Sequence, residues 1–159
     1  MQPVLEELSR MDDTRFLALY ESLSEQGFGP LDAHVAKALK FRPQAIRKLP
    51  FPQRAKKARS ILLRAHEAEL AYELAGSYLV KSQRDLIKGF LDATGVPHED
   101  GMIEDLDAAA PDEGKIAEAA SELDGKFEKN DVTLYLAMCA QQWPSSTGLV
   151  ELWQKRSEG

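Results

Sequence analysis

His66, Glu69 and Glu73 stand at spacings i, i+3 and i+7, which on an α-helix brings an imidazole and two carboxylates onto one face. Those groups ligate first-row divalent metals, and helical bundles build carboxylate metal centres from i, i+3 pairs of this kind. The set is incomplete, because a di-metal bundle needs matching Glu and His donors on other helices and the chain contains no Glu-x-x-His. No metal is therefore assigned, and His66, Glu69 and Glu73 stay as the candidates for one. The competing reading puts all three at the border of a buried seam, with Glu69 or Glu73 paired to a base such as Arg64 or Lys81.

Other reactive side chains lack the company that catalysis needs. Cys139 sits in the most apolar stretch of the chain, where a thiol behaves as a small hydrophobe. Ser145, Ser146 and Thr147 have no Gly-x-Ser-x-Gly context, and neither standard glycine-rich phosphate loop occurs. His98-Glu99-Asp100-Gly101 opens an acidic loop that departs from the 12-residue calcium pattern, so a capping loop in which an acidic residue starts the next helix is expected there. Trp143 and Trp153 read as apolar anchors near the C-terminus. No catalytic motif and no cofactor site emerges, and a non-enzyme is expected.

Charge is the sharpest feature. The 159 residues carry 20 Lys plus Arg against 26 Asp plus Glu, a net charge of -6 that argues against a generic nucleic-acid binder. The signs are segregated, however: residues 1–64 hold 12 basic and 7 acidic side chains, whereas residues 65–159 hold 8 and 19. Between Asp32 and Glu67 there is no acid at all, and Lys37, Lys40, Arg42, Arg47, Lys48, Arg54, Lys56, Lys57, Arg59 and Arg64 all fall there. Residues 92–131 answer with 13 acids and 3 bases. Lys40, Arg42, Arg47, Lys48, Arg54, Lys56, Lys57 and Arg59 are the candidates for a binding face. Complementary patches steer and orient association, which favours a protein partner with an acidic surface, or another copy of the chain. The same residues could grip phosphates, so polyanion or nucleic-acid binding is the alternative. A solvated or internally neutralised set of charges is the reading without function.

The elements that must hold these residues are helices, since no period-2 alternation persists. Asp12 or Asp13 is placed to cap a helix carrying Phe16, Leu17, Tyr20 and Leu23 that stops near Gly27. Pro30 restarts a short helix, and Pro43, Pro50 and Pro52 cut the next stretch into corners anchored by Phe41, Ile46, Leu49 and Phe51. From Pro52 a heptad-like seam of Ile61, Ala65, Ala68, Tyr72, Ala75, Leu79, Leu86 and Phe90 predicts a long helix over about 52–94. A kink is expected at Gly76-Ser77, and Gln83 interrupts the seam; one bent helix and two helices are both compatible with it. Gly95-Val96 predicts a left-handed cap whose apolar residue folds back. Two further helices follow, one over 112–127 with Ile116, Ala119, Ala120 and Leu123 on one side. The other runs from Asn130 or Asp131 and is apolar on nearly all sides. A short helix over 149–154 docks Leu152 and Trp153.

These elements predict a single all-α domain over 1–159, of about six or seven helices around a long central one. Its parts are short helices with Pro-rich corners over 1–51, the long helix over 52–94, an acidic loop over 95–111 and C-terminal helices over 112–159. One cysteine excludes an intramolecular disulfide and fits a reducing compartment. The longest apolar run, Leu134–Ala140, is seven residues, well below the ~20 that cross a bilayer, and Met1 to Glu7 has no secretory pattern, so a cytoplasmic location without membrane contact is expected. The function expected is a non-enzymatic interaction or regulatory module working through the basic face. Polyanion binding is second and a metal-dependent helical enzyme third.

Overall fold

A computed structural model describes residues 2–25, 48–64, 66–103 and 110–158. The short helix after Pro30 and the corners at Phe41, Pro43 and Ile46 lie outside them. Among the described residues the chain is all-α: α1 (Pro3–Arg10), α2 (Asp13–Glu25), α3 (Phe51–Arg64), α4 (Ala68–Ser82), α5 (Arg84–Ala93), α6 (Ile116–Asp124), α7 (Lys129–Gln142) and α8 (Thr147–Glu158), with a 3-10 turn at Glu113–Lys115 and one isolated β-bridge. No helix among them is long and apolar enough to cross a membrane. Packing divides the chain into two compact units, Val4–Leu74 and Ala75–Gly159, with the division falling inside α4.

In the first unit, Asp12 accepts the Arg15 N–H at 2.8 Å and starts α2, as its place before the apolar stripe predicts. That stripe buries Phe16, Leu19, Tyr20 and Leu23, and α2 packs along α3. Alanines at 55 and 58 with Ile61 and Leu62 make the buried side of α3. Phe51 and Tyr20 meet edge to face, with 6.3 Å between ring centroids.

The long helix expected over 52–94 is three helices. α3 ends at Arg64 in a Schellman cap: Glu67 N–H reaches back to Leu62 O and His66 N–H to Leu63 O, each at 3.3 Å. The cap needs a left-handed residue, and His66 supplies it at φ 52°. The second break is at Gln83, whose backbone leaves the helix at φ -138° and ψ 45°. Heptad spacing survived both breaks in the sequence because each costs few residues, so the apolar pattern read through them. At Gly76-Ser77 α4 is continuous. Gly76 serves a close approach: a Cβ there would stand 3.3 Å from Met138 Cε of α7.

The second unit is built around α7, in which every residue from Asp131 to Ala140 is buried. α6 and α8 pack on it and on each other, and α5 packs on α6. Phe90 of α5 meets Tyr135 of α7 edge to face at 5.4 Å. α5 closes as its sequence predicts, with Gly95 at φ 75°, Val96 N–H bonded to Leu91 O at 2.9 Å, and both apolar side chains buried. α6 buries the expected Ile116, Ala119, Ala120 and Leu123. The final helix is longer than expected, running Thr147–Glu158; Glu113 caps its first turn. The Glu113 carboxylate accepts the Ser146 hydroxyl and, at 2.9 Å, the Gly148 N–H.

Candidate functional site

Of the basic residues singled out, Lys40, Arg42 and Arg47 lie outside the described residues. The others divide into two groups by the side of α3 they occupy. At 3.6 residues per turn, Gln53, Lys56, Lys57, Ser60 and Arg64 share an arc of about 100°, and all five are exposed. Lys48 is exposed in the turn ahead of the helix. None of these four cations is ion-paired with a carboxylate among the described residues; there Arg64 reaches the Ser60 hydroxyl at 3.2 Å.

Arg54 and Arg59 belong to the packing rather than to that face. Arg54 is buried, donating to Leu49 O at 3.3 Å with its guanidinium 4.8 Å from the Phe51 ring centre. Arg59 crosses from α3 to the corner between α1 and α2. It donates to Ser9 O at 2.9 Å, to Met11 O and to the Asp13 carboxylate at 3.2 Å, above the Phe16 ring. A guanidinium there satisfies carbonyls left free where α1 ends, and its charge suits the negative end of that helix. Beside it a cleft of about 120 Å³ lies between α2 and α3, with Phe16, Leu17 and Ala55 as its apolar wall and Asp13 and Lys56 at its edge. Acid and base line it together, so it selects neither cations nor anions.

The proposed metal ligands are not brought to one helical face. His66 precedes α4 in the left-handed turn, so the i, i+3, i+7 geometry that motivated the set has no continuous helix beneath it; His66, Glu69 and Glu73 are each exposed. No group of three or more His, Cys, Asp or Glu side chains among the described residues is placed to hold a metal. Burial pushes the Cys139 thiol up to about 12, which leaves it protonated and unreactive at neutral pH.

Sequence reasoning passed over the hairpin at Glu99–Met102. The two residues exchange backbone hydrogen bonds of 2.8 and 2.9 Å, and Asp100 and Gly101 between them take φ of 53° and 87°. Positive φ at both central positions is the type I′ pattern, and Asp-Gly is its sequence signal. His98 braces the turn: its Nδ1 accepts the Gly101 N–H at 2.9 Å, which places the ring proton of the neutral form on Nε2, 2.7 Å from Asp92 Oδ1. Arg84 and Lys88 of α5 bind Asp100 at 2.7 and 3.3 Å and hold its carboxyl below the usual range.

No known family, curated protein or solved structure matches the chain.

Proposed function

We propose that this protein is a non-enzymatic interaction module that presents the exposed side of α3 to an acidic surface of a protein partner. One observation carries the reading: Lys56, Lys57 and Arg64 share one exposed helical arc and meet no carboxylate among the described residues. Three like charges on one face repel one another, and an anionic partner relieves that repulsion while steering its own approach. The face has an ordered base, because α3 is anchored by Arg54 and Arg59 and by an apolar side buried along α2. A protein partner is preferred over a polyanion because the chain as a whole is acidic, at -6, and repels a long phosphate backbone at distance.

The test is fluorescence anisotropy with a labelled poly-glutamate peptide of about 20 residues and, separately, with random duplex DNA. Binding of the peptide at low salt, lost in the variant Lys56→Glu/Lys57→Glu/Arg64→Glu with an unchanged melting curve, supports the reading. Equal binding by the variant removes it. DNA bound more tightly than the peptide, with an affinity falling steeply against salt, reassigns the face to polyanions.

A further inference from the structure

The tip of the Glu99–Met102 hairpin lies on α5. A Cβ at Gly101 would stand 3.5 Å from both Ile87 Cγ2 and Lys88 Cγ, so the turn covers Ile87, which is buried. Two ties hold it there. One is the pairing of Asp100 with Arg84 and Lys88, all three well exposed, and ion pairs in water contribute little. The other runs through His98: the Gly101 N–H donates to Nδ1 at 2.9 Å, and Nε2 stands 2.7 Å from Asp92 Oδ1 of α5. A backbone N–H can only donate, so the Gly101 bond exists only while Nδ1 carries a lone pair.

We propose that His98 is a proton-released latch: protonation of Nδ1 withdraws the acceptor from Gly101, and the hairpin tip comes away from Ile87. The surrounding groups set the direction. Asp92 accepts from the Nε2–H of the neutral and the charged ring alike, so only the Nδ1 side changes. Turning the ring over does not rescue the bond, because it puts carbon at both positions. At 10% exposure the side chain leaves little room for water to take over. Among the described residues, the charged groups around the ring are Asp92 of α5, the adjacent Glu99, and Asp100 with Arg84 and Lys88 at the tip. Those two bases hold the Asp100 carboxyl below its usual range, so it stays ionised. Imidazole is the side chain built to change charge between pH 5 and 8. Mild acid therefore uncovers Ile87 between Arg84 and Lys88, its neighbours at i-3 and i+1 on α5, an apolar spot flanked by two cations that is closed at neutral pH.

Nuclear magnetic resonance of the full chain, followed from about pH 8 to about pH 5, tests it. At the upper end the His98 ring is expected to carry its proton on Nε2. As the ring titrates, the Gly101 amide resonance should move with the same midpoint, and the Overhauser contact between Gly101 and the Ile87 methyl should weaken. The rate at which the Gly101 amide exchanges with water, divided by its intrinsic rate, should rise about two- to tenfold, the effect of losing one hydrogen bond. His98→Asn places an oxygen near the position of Nδ1 that accepts the same N–H and does not titrate, so the hairpin of that variant should show no response over this range. A ring that titrates without Gly101 following it, a ring that does not titrate in this range, or the same response in His98→Asn overturns the proposal. The titration of the natural chain decides by itself, even where the variant folds poorly.

Discussion

At φ 52°, His66 holds a Cβ in a region where only glycine is unhindered, at a cost of about 1 kcal/mol. His66→Gly is therefore expected to stabilise the protein by about 0.5–1 kcal/mol in thermal melts; a lower melting temperature would show that the imidazole has a compensating contact. Gly148 is the reverse case. A Cβ there would run into Glu113 Oε2, so Gly148→Ala must displace the carboxylate that caps α8. A loss of about 1 kcal/mol is expected, as is usual for a lost cap. Glu113→Ala should cost a similar amount, and the double variant little more than either alone, because both remove the same cap. Cys139, with its thiol raised to about 12, should resist alkylation at pH 8 in the native protein and react once the chain is unfolded. The buried thiol was legible from the apolar residues around it in sequence. The role of His66 was not, because a left-handed histidine differs from a helical one only in backbone angles.

At the scale of elements, α8 is tied down at both ends. Its last turn carries Arg156, which grips Asp124 at the end of α6 through two hydrogen bonds of 2.7 Å and also reaches Thr133 and the Lys129 carbonyl of α7. The Arg156 guanidinium holds the Asp124 carboxyl below its usual range. A lowered folded-state value means that the pair's contribution is complete above the unfolded carboxyl value of ~4 and is lost as pH falls through the lower, folded one. Asp124→Asn is accordingly expected to cost about 1 kcal/mol at pH 7, discounted for partial exposure, with the difference from the natural protein closing as pH falls through that lowered value. Urea titrations across pH measure it. The break between α4 and α5 has its own fastening, since Gln83 Nε2 and the Tyr78 hydroxyl each donate at 3.1 Å to the buried Asp131. Gln83→Leu should therefore cost about 1–3 kcal/mol by leaving a buried carboxylate short of a donor, even though leucine would complete the heptad seam. A stabilised variant in denaturant titration would contradict this. The seam's periodicity was visible in sequence, but a polar side chain serving as a donor to α7 reads there only as an interruption.

At the scale of the molecule, the net charge of -6 argues that duplex DNA at near-physiological salt is not bound appreciably, which gel-shift or anisotropy measurements check; robust, salt-steep binding would contradict it. The sequence by itself determined the helical class, the apolar helix that becomes α7, the caps at Asp12 and Gly95, and a basic stretch without acids. Each of these is local: a period, a punctuating residue or a count, readable over one or two turns of chain. Only the tertiary structure decided which bases are available. Arg54 and Arg59 fall on the buried and bordering side of α3, and Arg59 is consumed by carbonyls 48 and 50 residues away, whereas Lys56, Lys57 and Arg64 face outward. Nor could the sequence show that the 52–94 stretch breaks twice, or that Glu113 caps a helix starting more than 30 residues later. Those outcomes depend on which distant donor meets which acceptor, and no local pattern along the chain carries that information.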